Sequence, residues 1–365
     1  MFFSLNGYKL SRDIKAADII VLISCAAMDL IIEKGANTIS KILKNFPRKK
    51  VVLFGCMAPL AEFRNDSRLI TIGPKELDRF SALFESKIPI CECRTTQLRK
   101  DFCWHFLGRS EKDRFVHISQ GCSNNCSYCN IKLMKGGVTS VPAARIRAEV
   151  NEIAAKKTDV ITLMADDCGS YGHDINTNIA ELFRELPAAG FAGTPLKYKI
   201  YYMFPALLIK YYRQLKPAFA DRRIIDITVP LQSGAPRVLK LMNREYDLRK
   251  LSRIIREIRS LNPEIRIISH FIINFPGETM AEFEESLRYA RLFKFSLFLP
   301  YSDNKRARAY RLAPKCTQDE LEEKMRRVKE EIKKKTFKGL LTPRACMPEE
   351  FPDSQTYLAK DGAGA

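Results

Sequence analysis

Short β-branched runs alternate along this chain with longer stretches whose apolar residues recur every three or four positions. Runs at 18–24 (DIIVLIS), 50–55 (KVVLFG) and 69–73 read as strands, and 30–45 reads as a helix. A second series places strands at 115–119, 160–165, 196–203, 224–229, 265–273 and 297–300. Helical periodicity fills the gaps at 143–155, 178–186, 206–215, 248–261 and 281–292. Strand and helix in alternation predict parallel sheets with helices on their faces. The fold class is therefore α/β: six βα units form a partial (β/α)6 barrel, preceded by a small doubly wound parallel-sheet domain. The loops that do chemistry on such a barrel lie at the C-terminal ends of its strands. The expected layout is an N-terminal α/β domain at 1–90, a linker at 91–112 and the barrel at 113–316. A C-terminal helix follows at 317–340 and a disordered tail at 341–365. A capping box at 317–320 opens that helix, and Leu321, Met325, Val328 and Ile332 share its apolar face.

Composition adds limits. In 365 residues, 46% hydrophobic and 28% charged, there is enough apolar chain for packed cores and too much for a disordered protein. The apolar run at 17–32 is broken by Asp18 and Asp29, so no membrane span is expected. No signal peptide is read at the N-terminus, and a cytoplasmic location is expected. Eleven cysteines in a reducing compartment point to metal or to chemistry more than to disulfides, although most read as small buried hydrophobes. The formal charge of +19 favours anionic partners without choosing among them.

One cysteine group has a spacing that carries chemistry. Directly after the first barrel strand come Cys122, Cys126 and Cys129, separated by three and then two residues. Thiolates on one loop at a strand end can converge on an iron–sulfur cluster, which ordinarily takes four cysteines. Three local ligands would leave one iron open for a substrate or cofactor. A structural zinc site is the competing reading, but it needs a fourth ligand that His117 and His105 are poorly placed to give.

The group, with an aromatic before its last cysteine, resembles the radical S-adenosylmethionine (SAM) superfamily. The segments 165–172 (ADDCGSYG), 230–234 (PLQSG), 238–244 (VLKLMNR) and 275–279 (FPGET) resemble its methylthiotransferase family. The segment 199–205 (KIYYMFP) is similar to the branch that modifies a ribosomal protein. The resemblance implies a [4Fe–4S] cluster on Cys122, Cys126 and Cys129 that cleaves SAM reductively, fed by an external one-electron reductant such as flavodoxin or ferredoxin. It also implies that Cys25 and Cys56 help hold a second [4Fe–4S] cluster. Both end parallel strands, where open α/β sheets bind ligands. Tyr128, Asp166, Gln232 and Arg244 are then cofactor-binding residues: Asp166 would accept from the SAM ammonium, and Gln232 and Arg244 would reach its ribose or carboxylate.

The chain also departs from the family pattern. Gly7-Tyr8 aligns beyond the segment that carries the family's first cysteine, so either the chain starts late or this domain gives the second cluster two ligands, with Cys91, Cys93 and Cys103 as candidates for a third. No counterpart of the RNA-binding β-barrel is read after residue 335. Thr139 and Val141 stand where arginines are usual, Asn274 where a glycine is usual, and His270 where an acid is usual. His270 is accordingly the candidate substrate contact. The expected activity is insertion of sulfur or a methylthio group at an unactivated carbon. A peptide, protein side chain or specialised metabolite is favoured over tRNA as substrate. Methylthiolation of tRNA, and radical SAM chemistry without sulfur insertion, are the alternatives; a non-enzymatic binding scaffold is a third.

Overall fold

The structure, a computed structural model, describes residues 2–11, 13–26, 29–63, 66–90, 114–156, 158–341 and 355–360. The linker, with Cys91, Cys93, Cys103 and His105, lies outside these residues. The chain begins with a short helix α1 (Phe2–Leu5) and strand β1 (Tyr8–Ser11), followed by β2 (Ile19–Ser24), α2 (Asp29–Asn45), β3 (Lys50–Gly55), β4 (Leu69–Ile72) and α3 (Leu77–Leu83). Strands β2, β3 and β4 are parallel neighbours, as their β-branched content and intervening helix dictate.

The expectation of a disordered tail is corrected over part of its length: Gln355–Lys360 forms a strand, numbered β14 below, inserted between β1 and β2. It runs antiparallel to both, with Tyr8 opposite Lys360 and Ile20 opposite Tyr357. The segment reads QTYLAK, and its Thr and Tyr suit a pleated surface, but six residues isolated by polar chain give little periodicity to read. The ladders of β1 and β2 supply what holds it.

The second sheet carries β5 (Arg114–His117), β8 (Val160–Met164), β9 (Lys197–Tyr201), β10 (Ile224–Thr228), β11 (Arg266–Ile273) and β12 (Phe295–Pro300). Each pairs in parallel with the next, in that order. A seventh strand, β13 (Gly339–Leu341), joins the far edge beside β12. Three residues are too short a run to show a period, which is why sequence reading stopped at six. A small hairpin of β6 (Ser119–Gln120) and β7 (Thr139–Ser140) flanks helix α4 (Ile131–Lys135).

Helices α5 (Ala143–Ala154), α6 (Ile179–Glu185), α7 (Pro205–Ala220), α8 (Pro236–Leu241), α9 (Leu248–Leu261), α10 (Met280–Ala290) and α11 (Gln318–Lys333) complete the chain. The barrel core lies between strands and helices, where Val116, Ile161, Leu163, Tyr198, Ile200, Ile227 and Phe271 are buried. Their alternating neighbours face the barrel interior; in β11 these include Ile268 and His270. Helix α7 runs past the predicted end at 215 and through Pro217. Thr317 caps α11 as the capping box predicts, with Glu320 closing the reciprocal bond. Lys324 of that helix, buried beside the barrel, pairs with Glu278 at 3.1 Å.

Candidate functional site

The loop from Gly121 to Asn130 leaves β6 at the C-terminal end of the barrel and carries Cys122, Cys126 and Cys129. Its shape is held from several sides. Gly121 N–H donates to Asp166 Oδ2 at 2.8 Å. Ser127 is tied to the end of α8 through Met242 O at 2.9 Å and Leu241 O at 2.8 Å. Asn243 Nδ2 donates to Asn125 O at 2.7 Å, and Arg308 donates to the same carbonyl.

The three sulfurs sit among donors. Asn124 Nδ2 lies 3.3 Å from Cys122 Sγ, Arg244 Nη1 lies 3.2 Å from Cys126 Sγ, and the Ile131 N–H lies 3.5 Å from Cys129 Sγ. Burial pushes the Cys122 thiol up to about 11 and the Cys129 thiol up to about 12, and each thiol acts electrostatically on its neighbours. Loading iron onto them must therefore release protons.

The other predicted site residues fall as follows. Asp166 is engaged through both oxygens, by Gly121 N–H and by Lys135 Nζ at 2.7 Å, so it braces the cysteine loop. Tyr128 is partly buried, its ring edge-on to Phe275 at 6.3 Å, and burial holds its hydroxyl well above the usual phenol range. Gln232 has φ of +74° and bridges to β11, its N–H donating to His270 O and its carbonyl accepting from Ile272 N–H. Gln232 Oε1 is a buried acceptor without a donor among the described residues. His270 is buried, with Nδ1 3.4 Å from the Tyr202 hydroxyl and its ring edge-on to Tyr202. Tyr202, at φ of +59°, directly follows β9.

Sequence reading missed Asp167. Its carboxylate accepts from Asn124 Nδ2, Ser170 Oγ, the Gly169 N–H and the Phe204 N–H, fastening the loop after β8 to the cysteine loop and to the start of α7. Its place beside Asp166 in the quoted segment was the available signal. Arg244 is the other surprise: it points at the cysteine loop, donating to Cys126 Sγ and to Pro230 O at 2.6 Å, with its plane over the Phe204 ring.

Cys25 and Cys56 follow β2 and β3 at one sheet edge, Cys25 exposed and Cys56 partly buried. Cys56 N–H donates to Ser24 O, and burial raises the Cys56 thiol while Lys135 opposes that rise. Lys135 belongs to α4, the helix that follows the other cysteine group, and Met134 beside it is buried in the core of the first sheet with Met57 and Ala58. Both cysteine groups thus flank one short helix.

The donor set fits a [4Fe–4S] cluster: three thiols on one rigid loop, N–H donors on the sulfurs and a buried cation beside them. The orphan Gln232 oxygen at the barrel mouth adds an acceptor for a polar cofactor. No helix among the described residues is long and apolar enough to cross a membrane.

Comparison with known proteins agrees with this geometry. Residues 116–290 match the Radical SAM superfamily. The probable threonylcarbamoyladenosine tRNA methylthiotransferase of Pyrococcus horikoshii is 28% identical over 293 residues, 78% of this chain and 67% of that protein. The human threonylcarbamoyladenosine tRNA methylthiotransferase is 28% identical over 307 residues, 80% of this chain and 52% of that protein. The ribosomal protein uS12 methylthiotransferase RimO of Chloroherpeton thalassium is 27% identical over 343 residues, 88% of this chain and 73% of that protein. The chain spans about two thirds of the archaeal relative and about half of the human one. Among solved structures, the radical SAM methyltransferase TsrM from Kitasatospora setae shares the fold, with a TM-score of 0.56 at 12% identity, covering 80% of this chain and 66% of that one. Residues 116–290 thus carry a Radical SAM domain, and the methylthiotransferases among the relatives, taken with the cysteine loop at the barrel mouth, support a place in the radical SAM methylthiotransferase family, an enzyme family whose cofactors are SAM and a [4Fe–4S] cluster.

Proposed function

We propose that this enzyme cleaves SAM reductively and inserts sulfur or a methylthio group at an unactivated carbon of a protein side chain. The observation that carries the first half is the loop of Cys122, Cys126 and Cys129, braced by Asp166 and flanked by Arg244 and Asn124. When bound there, the cluster and SAM supply one-electron bond cleavage and hydrogen abstraction from carbon. The residues of the chain hold, orient and enclose. The three thiols anchor the cluster, Gln232 Oε1 offers SAM a buried acceptor, and α4 behind the cysteine loop packs its Met134 into the core of the first sheet.

The sulfur half rests on Cys25 and Cys56, which act electrostatically on each other, with Lys135 of α4 near enough to act on Cys56. They are the proposed ligands of a second cluster. His270 and Tyr202, on neighbouring faces of the mouth, are the proposed substrate contacts. A protein side chain is favoured because the uS12 enzymes match over 343 residues or more, against 293 to 307 for the tRNA enzymes. The tRNA reading keeps the support of the formal charge of +19 and of those relatives' names.

The test is anaerobic incubation with SAM and dithionite, with ribosomal proteins or bulk tRNA as separate substrates. Mass spectrometry reads 5′-deoxyadenosine and any methylthio group replacing hydrogen. We expect 5′-deoxyadenosine in every case and the added mass on protein. Added mass on tRNA alone would replace the protein reading, and 5′-deoxyadenosine with no sulfur on either would leave a radical enzyme without sulfur transfer.

A further inference from the structure

We infer that Arg244 is the fixed counter-charge of the Cys126 thiolate and raises the reduction potential of the cluster held by Cys122, Cys126 and Cys129. The inference rests on the cluster reading proposed above and adds to it a tuning residue. Arg244 is 4% exposed. Its Nη2 donates to Pro230 O at 2.6 Å, its Nη1 to Cys126 Sγ at 3.2 Å, and its carbon stands 4.3 Å from the centre of the Phe204 ring. Its Nε is buried with no acceptor among the described residues.

A guanidinium cannot shed its proton to escape burial, so it needs an anion. Lys324, equally buried, has one in Glu278 at 3.1 Å. Among the described residues, the groups that act most strongly on Arg244 are Tyr128, Cys126 and Tyr246, none of them a carboxylate. Only Cys126 among them becomes an anion at neutral pH on binding iron, and it is the one Arg244 touches. Its two outer nitrogens each give one hydrogen bond, to the Cys126 sulfur and to the Pro230 carbonyl.

The consequence is electrostatic. Reduction adds one electron to the cluster, taken from the external reductant, and a cation hydrogen-bonded to a ligand sulfur stabilises that added charge. Replacing Arg244 with a neutral side chain makes reduction harder.

The experiment is an EPR-monitored redox titration, without SAM, of anaerobically reconstituted wild type, Arg244→Lys and Arg244→Gln. We expect the reduced-to-oxidised ratio at a fixed potential to fall about tenfold in Arg244→Gln, a shift of about 59 mV for one electron. Arg244→Lys should lie between. An unchanged ratio in a fully loaded Arg244→Gln protein, with a raised KM for SAM, would overturn the inference and make Arg244 a SAM ligand. Should Arg244→Gln fail to load, wild type grown on 15N-arginine decides alone. Pulsed EPR of its reduced cluster must show a 15N coupling, and none would overturn the inference. A wild type that loads no cluster would instead sink the cluster reading itself.

Discussion

Gly121 sits at φ of +82°, and a Cβ there would lie 2.2 Å from Gly137 O. Both the left-handed backbone and the close approach of the β7 side of the loop require glycine. The carbonyl cannot retreat freely, because Lys75 Nζ holds Gly137 O at 2.7 Å. Gly121→Ala should therefore cost about 1–3 kcal/mol in strain alone and lower iron loading. Gly137→Ala meets nothing within 4 Å and should load as wild type. Denaturant unfolding and iron analysis of the two variants check this; equal loading would remove the tight approach as a determinant of the site. At this scale the spacing of Cys122, Cys126 and Cys129 was legible because ligands on one short loop must be close in sequence. The roles of Asp167 and Arg244 were not. Arg244 and Cys126 are 118 residues apart, and nothing local in the chain predicts which way that guanidinium turns.

Elements of the barrel are tied to one another by a few charged side chains at the helix starts. Glu282, third residue of α10, closes the capping box with Thr279 and takes a two-point bond from Arg237 of α8, each contact at 2.7 Å. The Arg237 guanidinium is the chief cause that holds the Glu282 carboxyl at about 2, against an ordinary 4.5. A depressed carboxylate stabilises the fold fully above its ordinary pKa and loses that contribution as pH falls through the folded value. Stability should thus decline between about pH 4.5 and 2. In Arg237→Gln, urea unfolding across that range should show a shallower decline than in wild type. An identical slope would remove this pair from the acid response. The long β-branched strands and amphipathic helices were readable because burial imposes their periods. The hairpin of β6 and β7, the edge strand β13, and the short helices α4 and α8 were not, since two to six residues show no period and tertiary contacts hold them.

Across the whole molecule, the first sheet is fastened to the barrel at separate points around the two cysteine groups. Lys75 reaches Gly137 O and Thr139 Oγ1, and Gln120 Nε2 donates to Pro74 O. On the other side Arg306 joins Asp29 at 3.3 Å and Glu62 at 2.6 Å, just beyond Cys25 and Cys56 in sequence. The Ala309 N–H, three residues on, donates to Ser127 O inside the barrel's cysteine loop. One loop thus touches the supports of both groups. Arg306→Glu should speed hydrogen exchange at the start of α2 several-fold while leaving 5′-deoxyadenosine formation near wild type, and Asp29→Lys in the same chain should restore part of the protection. Unaltered exchange in Arg306→Glu would show that these ion pairs do not fasten the domain. The alternation of strands and helices made the two sheets legible, whereas the return of Gln355–Lys360 to the first sheet was not, because strand pairing across most of the chain leaves no local mark.

Iron and 5′-deoxyadenosine, measured together on anaerobically reconstituted wild type and on the Cys122/Cys126/Cys129→Ala variant, bear most directly on the proposal that these three thiols hold the SAM-cleaving cluster. With four irons to each cluster, the account predicts about eight per chain in wild type and about four in the variant. Only wild type should make 5′-deoxyadenosine. A variant that still cleaves SAM would contradict the account.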